Sequence, residues 1–368
     1  MKLTLQLKLL PDAEQARALL DTMRRFNQAA SFAARAGFDA GVFSKPSIQK
    51  LCYRELRDRF GLSAQMAIRA IGKAAEAFAR DKTICPKFRP DGAMTYDERI
   101  LSFKDCHRVS ILTVKAARLM IPYVFGEYQA ANLARIRGQC DLIYRDGLFF
   151  LYCTIEFQEA PPVEVGDFLG IDLGIVNLAV DSEGETHSGE QVEKVRRRYG
   201  KARRGLQRKG TKSAKRILQR IRRRESRFRQ HENHVISKRI VAKAKALQCG
   251  IALEELTGIR ERTEKTVGHR QRSRHSGWAF FQLRAFIEYK AKREGIPVTA
   301  VDPRNTSRTC SACGHCAKAN RATRDGFACL HCGYSSNADL NGARNIRARA
   351  VVSPPHQQQA PGFLFASA

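Results

Sequence analysis

The chain has 368 residues, with 65 lysines and arginines against 36 aspartates and glutamates, a formal net charge of +29. That length suffices for two or three domains. A compact chain this basic calls for a polyanion to neutralise it, so nucleic acid is the expected partner and an anionic membrane surface the weaker rival. No stretch approaches the roughly 20 apolar residues that span a bilayer, so no membrane partner is expected.

The opening MKLTLQLKLL alternates Leu3, Leu5, Leu7 and Leu9 with polar neighbours. That is the period of a half-buried strand rather than of an export signal. Residues 11–80 read as helical: one helix opens on Pro11 and early acids, a second starts near Ser47, and a third runs from about Ser63 to Ala79. Residues 83–160 turn to strands, among them RVSIL, CDLIYRD and GLFFLYCTIEF, and APPVEVGD then reads as a linker. The first strand and these later ones imply a small β-barrel with the helices inserted after its first strand.

From Phe168, FLGIDLGIVNLAVDSEGETHSG reads as two or three short strands joined by tight turns. Between Lys194 and Lys245, 22 lysines and arginines face two acids, Glu225 and Glu232, while Ile217, Ile221, Phe228 and Val235 recur at helical spacing. The expectation is a helical hairpin broken at KGTKS, with Thr211 or Ser213 as N-cap. A solvated charged face is the plain alternative, but a block of like charge on ordered helices repels itself unless something anionic lies along it. CGIALEELTG then reads as a strand, 262–276 as a polar loop, SGWAFFQLRAFIEYKAKREG as an amphipathic helix, IPVTAVDP as a strand and 338–349 as a last helix. Residues 351–368 read as a disordered tail.

This element order suits an RNase H-like sheet. Three acids fall where such a fold places metal ligands: Asp172 ending the first strand, Glu254 ending the fourth, and Asp339 beginning the last helix. Two divalent ions about 3.5–4 Å apart need several converging carboxylates, and magnesium suits oxygen ligands. An Asp at a strand end is more often a turn or cap residue, and Glu254 or Glu255 would serve as an ion-pair partner. Cys310-x2-Cys313 and Cys329-x2-Cys332, fifteen residues apart, have zinc-ribbon spacing, so one structural Zn²⁺ is expected, with Cys316, His315 and His331 spare. Such a ribbon would fix where the helix of Asp339 begins. The remaining cysteines, Cys52, Cys85, Cys106, Cys140, Cys153 and Cys249, are scattered and read as reduced residues of a cytosolic protein.

GIDLGIVNLAV, ALEEL, GWAFFQLRAFIEYKAKREGIPV, VDPRNTSRTCSACGH and CGYSSNADLNGARNI resemble the RuvC-type core of TnpB, the transposon-encoded RNA-guided DNA endonucleases thought ancestral to type V CRISPR effectors. The resemblance is specific over about 168–350. It implies an α+β multidomain fold: a wedge β-barrel over 1–10 and 83–165, a helical recognition lobe over 11–82, a RuvC-like nuclease domain over 166–308 and 333–350, and a zinc-ribbon, target-nucleic-acid-binding insert over 309–332. It further implies a metal-dependent endodeoxyribonuclease with Asp172, Glu254 and Asp339 catalytic, Cys310, Cys313, Cys329 and Cys332 on zinc, and two Mg²⁺. Its partners would be a guide RNA and target double-stranded DNA, in a prokaryotic cytoplasm at the nucleoid. One departure is Asn337-Ala338-Asp339, where the family often reads Asp-Arg-Asp. A nuclease-dead RNA-guided repressor and a miniature CRISPR effector share this outline, whereas no paired-His motif of a tyrosine transposase is present.

Nucleic-acid contacts are expected at two places. Arg203, Arg204, Arg216, Arg220 and Arg223 are candidates for phosphates of a guide–target heteroduplex. Gln65, Arg69 and Lys73 share one helix face, and by the resemblance in layout that face, with Thr95 and Tyr96 from the loop GAMTYDER, would read a flanking motif. An ordinary amphipathic helix with a polar outer face is the competing reading.

Overall fold

The computed structural model describes residues 1–105, 107–114, 117–255 and 280–352. They divide into two compact units, Met1–Gln158 and a second beginning at Glu159, just ahead of the expected linker. Cys106, the polar loop expected at 262–276, the opening of the helix expected from Ser276 and the tail beyond 352 lie outside the described residues. Among the described residues no helix is long and apolar enough to cross a membrane.

In the first unit, β1 (Lys2–Leu9) precedes α1 (Ala13–Asp39), α2 (Lys45–Phe60) and α3 (Ala64–Arg80). Each helix starts where the sequence offers a cap: Asp12 with Gln15 in a capping box, then Ser44, then Ser63. The strands β2 (Met94–Tyr96), β3 (Leu101–Phe103), β4 (Arg108–Leu112) and β5 (Arg118–Val124) follow, then a short α4 (Glu127–Ala130), β6 (Ile136–Arg145) and β7 (Leu148–Glu156). They form a seven-stranded antiparallel sheet of order β2-β6-β7-β1-β5-β4-β3. Laid flat, its end strands would stand about 29 Å apart. Yet β2 and β3 are joined by residues 97–100 alone, which reach about 18 Å at most. The sheet therefore curls until its ends approach, and the Tyr96 hydroxyl donates to the Leu112 carbonyl of β4 at 3.3 Å across the gap. The helices share its core: Leu5, Leu7 and Leu151 belong to one apolar cluster with Phe26, Ile71 and Phe78.

In the second unit, β8 (Phe168–Asp172), β9 (Asn177–Asp181) and β10 (Thr186–Ser188) lead into α5 (Glu190–Lys209), α6 (Lys212–Ile221) and α7 (Arg224–Ala246). Then come β11 (Gly250–Glu254), α8 (Phe280–Arg293), β12 (Val298–Val301), β13 (Gly326–Ala328), β14 (Ser335–Asn337) and α9 (Ala338–Val352). The main sheet runs β10-β9-β8-β11-β12, its first three strands antiparallel and β8, β11 and β12 parallel. The two-residue period of the strands sorts its faces. Leu169, Ile171, Ile251 and Leu253 pack with Ile236, Ile240 and Val241 of α7 and Leu283, Ile287 and Ala291 of α8. Phe168 and Ala252 face the other way, onto Ile346 and Ala350 of α9.

The basic segment differs from the expected hairpin. It is three helices, broken at Gly210 (φ 66°) and again at Arg223 (φ 65°). Thr211 caps α6, accepting from Ala214 N at 3.1 Å, as the KGTKS break suggested. The second break carries neither Gly nor Pro, so composition did not announce it.

Candidate active site and cysteine cluster

The parallel register between β8 and β11 pairs Gly170 with Ala252 and Ile171 with Leu253. One step further it brings Asp172 level with Glu254. Both project on the face of Gly170 and Ala252, where α9 lies. Asp339 stands in the first turn of that helix. A Cβ on Gly342 would come within 3.0 Å of Asp172 Oδ2, so α9 runs directly against the carboxylate. The fold thus brings the three expected acids to one sheet edge.

Their charges are felt. Burial pushes the Asp172 carboxyl up to about 8, with Glu254 and Asp339 adding to the rise and Arg321 opposing it. Glu254 is also raised, first by burial, against a hydrogen bond from Thr306 and the charge of Arg349. Thr306 Oγ1 donates to Glu254 Oε1 at 2.5 Å, Asn177 Nδ2 donates to Asp339 Oδ2 at 2.9 Å, and Arg321 stands 3.7 Å from Asp339 Oδ1. Glu255 turns elsewhere and pairs with Arg284 of α8 at 3.1 Å, which separates the two neighbouring glutamates. The donor set is all carboxylate oxygen on like-charged, desolvated groups, which suits a hard divalent cation.

The four expected cysteines form a tighter group. Among the described residues, Cys310, Cys313, Cys329 and Cys332 are the one set of three or more His, Cys, Asp or Glu whose ligand atoms all lie within 4.8 Å of one another. The three carboxylates therefore line an edge rather than close a cage. Cys310 Sγ is 3.7 Å from Cys332 Sγ and Cys313 Sγ is 3.6 Å from Cys329 Sγ. A tetrahedron with zinc–sulfur bonds of about 2.3 Å has edges of about 3.8 Å, so the thiols fit one zinc ion. The Cys329 thiol is held down to about 6, first by the Cys332 backbone amide. His315 and His331 stack on each other at 5.4 Å, and neither they nor the exposed Cys316 join the set.

Two family models match the chain. One described as "Cas12f1-like, TNB domain" covers residues 280–346, and one described as "Probable transposase" (OrfB_IS605) covers 152–256. The TnpB-like protein MJ0751 of Methanocaldococcus jannaschii is 33% identical over 34% of this chain and 45% of its own. InsQ of Escherichia coli K12, named as an RNA-guided DNA endonuclease, is 26% identical over 80% of this chain and 75% of its own. Together these matches support a TnpB-family reading of the chain. The CRISPR-associated endodeoxyribonuclease Cas12f1 of Sulfoacidibacillus thermotolerans is 32% identical over 64% of this chain and 58% of that relative. The chain thus spans little more than half the length of the first curated relatives it matches. The protein of a Cas12f1–sgRNA–target DNA complex superposes with a TM-score of 0.60 at 14% identity, over 94% of this chain and 98% of that one, so the two share a fold.

The expected nucleic-acid residues fare differently from the acids. Gln65 Nε2 donates to Asp97 Oδ2, and Arg69 donates to the same oxygen at 2.7 Å and to Gln139 Oε1 at 3.1 Å. Lys73 donates to Asn27 Oδ1 at 2.7 Å and the Ala93 carbonyl at 2.5 Å, and burial brings its ammonium down to about 8. This face of α3 is therefore engaged with its own unit. Thr95 donates to Asp141 Oδ1 at 2.8 Å. Tyr96, expected in an entering loop, is instead fully buried in β2, where it cannot meet a base edge. Arg203, Arg204, Arg216, Arg220 and Arg223 are all exposed, with Arg203 paired to Glu225 at 2.7 Å. Asn177, Thr306 and Arg321 escaped the sequence reading, because each reaches its acid across a long stretch of chain.

Proposed function

We propose that this protein is an RNA-guided DNA endonuclease of a transposable element, cutting double-stranded DNA beside a short flanking motif. The observation that carries the reading is the convergence of Asp172, Glu254 and Asp339 at one sheet edge, in a chain similar to proteins named as RNA-guided or CRISPR-associated endodeoxyribonucleases. A guide RNA would pair with the target strand, leaving shape and the flank to the protein. The three carboxylates would hold two Mg²⁺. Such ions, when bound, activate water and stabilise the leaving oxygen. Asn177 restrains the Asp339 carboxylate and Thr306 that of Glu254. Arg321 sets a positive charge beside Asp339, where a backbone phosphate would approach. One structural Zn²⁺ on Cys310, Cys313, Cys329 and Cys332 would secure the segment leading into α9. Arg203, Arg204, Arg216, Arg220 and Arg223 are the proposed phosphate contacts along the heteroduplex. A nuclease-dead repressor would have no need of all three acids.

The test begins with the RNA that co-purifies with the protein. Once sequenced, it defines a matching plasmid target with randomised flanks. The reading expects Mg²⁺-dependent linearisation of matched plasmid alone, and cutting that ignores the RNA sequence would overturn it.

A further inference from the structure

We propose that Thr306 is a positioning residue for Glu254, and that it ties this acid to the helix carrying Asp339. The proposal rests on the metal-dependent nuclease reading above and adds a residue that reading does not require. Thr306 is 3% exposed, and its hydroxyl stands 2.5 Å from Glu254 Oε1 and 3.1 Å from the Pro303 carbonyl. A hydroxyl has one proton to give, and a carboxylate at the shorter distance takes it in preference to a neutral carbonyl. Glu254 is the last residue of β11, paired with Val301 of β12 and past the last pair with β8, so the ladder holds its backbone while the carboxylate needs a restraint of its own. The hydrogen bond from Thr306 supplies that restraint and fixes the carboxylate plane.

What aims Thr306 is equally specific. The preceding residue, Asn305, is left-handed at φ 59°, a conformation Asn tolerates better than most residues. The Asn305 carbonyl accepts from Arg308 N and Thr309 N, both at 2.9 Å, closing a tight turn. That turn is bolted to α9 by two buried amides. Asn345 Nδ2 donates to the Thr306 carbonyl at 2.8 Å and the Thr309 carbonyl at 2.7 Å. Asn341 Nδ2 donates to the Thr309 carbonyl at 2.8 Å, and its Oδ1 accepts from Ser311 N at 3.0 Å. Thr306 therefore rides with α9, whose first turn holds Asp339. Through one hydroxyl, the end of β11 is keyed to the same rigid piece.

The experiment compares full-length wild type with Thr306→Val, which keeps the shape and loses the donor, and Thr306→Ser, which keeps the donor. Mn²⁺ binding is followed by electron paramagnetic resonance, with zinc content and melting midpoint reporting the fold. Partners that orient metal ligands typically matter by about 10–100-fold, so Thr306→Val should weaken Mn²⁺ binding by that factor, and Thr306→Ser by no more than about threefold. The Mg²⁺ concentration for half-maximal cleavage should move in parallel. If Thr306→Val loses zinc or melts early, Thr306→Ala, smaller and free of overpacking, replaces it. Equal Mn²⁺ affinity in wild type and the donor-free variant, or an equal loss in Thr306→Ser, overturns the proposal while leaving the nuclease reading intact. A wild type that neither cuts nor binds Mn²⁺ overturns the nuclease reading itself.

Discussion

Gly170 offers a sharp test of how α9 places Asp339. It lies on the β8 face that α9 covers, two residues before Asp172. A Cβ there would stand 2.1 Å from the Ala343 carbonyl oxygen, 2.6 Å from Arg347 N and 3.0 Å from Arg347 Cβ. Two of these atoms are helix backbone, so no side-chain rotation relieves the clash. Carbon–oxygen contacts settle at about 3.3 Å, so Gly170→Ala must push α9 away by about 1 Å. Overpacking of this kind costs about 3 kcal/mol, which lowers the melting midpoint of a unit this size by about 6–12 °C. The same displacement carries Asp339 away from Asp172, and a misplacement of about 1 Å costs about 100-fold in rate. Differential scanning fluorimetry and single-turnover cleavage read the two effects. Gly200→Ala is the control: Gly200 lies within α5 with open space around it, and the change should stabilise by about 0.4–1 kcal/mol. Wild-type melting and cutting in Gly170→Ala would refute the packing argument.

Cys313→Ser removes one thiolate of the four, so zinc content should drop below one per chain, with melting midpoint and cleavage falling together because the lead into α9 loosens. Unchanged zinc stoichiometry by elemental analysis would contradict the four-cysteine assignment. Arg69→Ala should cost the first unit about 3 kcal/mol, because it strips the nearly buried Asp97 of its cation; its flank preference in a randomised-flank assay should stay that of wild type. Asp97 has its carboxyl below the usual range: burial would raise it, but hydrogen bonds from Arg69 and Gln65 outweigh that. Its stabilisation is therefore present above the unfolded value of about 3.9 and is lost as pH falls through the folded value. Urea titrations should show a shallower acid-side loss in Arg69→Ala than in wild type.

Features whose partners lie close in sequence were legible. The CxxC pairs carry their own spacing, Ser63 and Thr211 announce the helices they cap, and strands ending in Asp172 and Glu254 reveal themselves by apolar runs that stop at an acid. Periodicity also put Gln65, Arg69 and Lys73 on one face. It could not say what that face meets, because Asp97 and Asn27 are brought there by the curled sheet and by α1. Tyr96 was misread for a related reason. A three-residue strand shows too little alternation to reveal which side chain points inward. Arg223 breaks the basic segment by backbone conformation alone, and Thr306 reaches Glu254 only once β11 and the turn at Asn305 are folded together.

The central claim is that Asp172, Glu254 and Asp339 form one hydrolytic site distinct from the surfaces that bind nucleic acid. It is tested most directly by single-turnover cleavage of matched DNA by the RNA-loaded protein, with DNA binding measured in parallel. Asp172→Ala, Glu254→Ala and Asp339→Ala should each abolish cutting while leaving RNA-dependent DNA binding within about twofold, since each would remove a proposed metal ligand and no proposed phosphate contact. Near-wild-type cutting by any one of them, or full activity of the wild type in excess EDTA, would contradict the account.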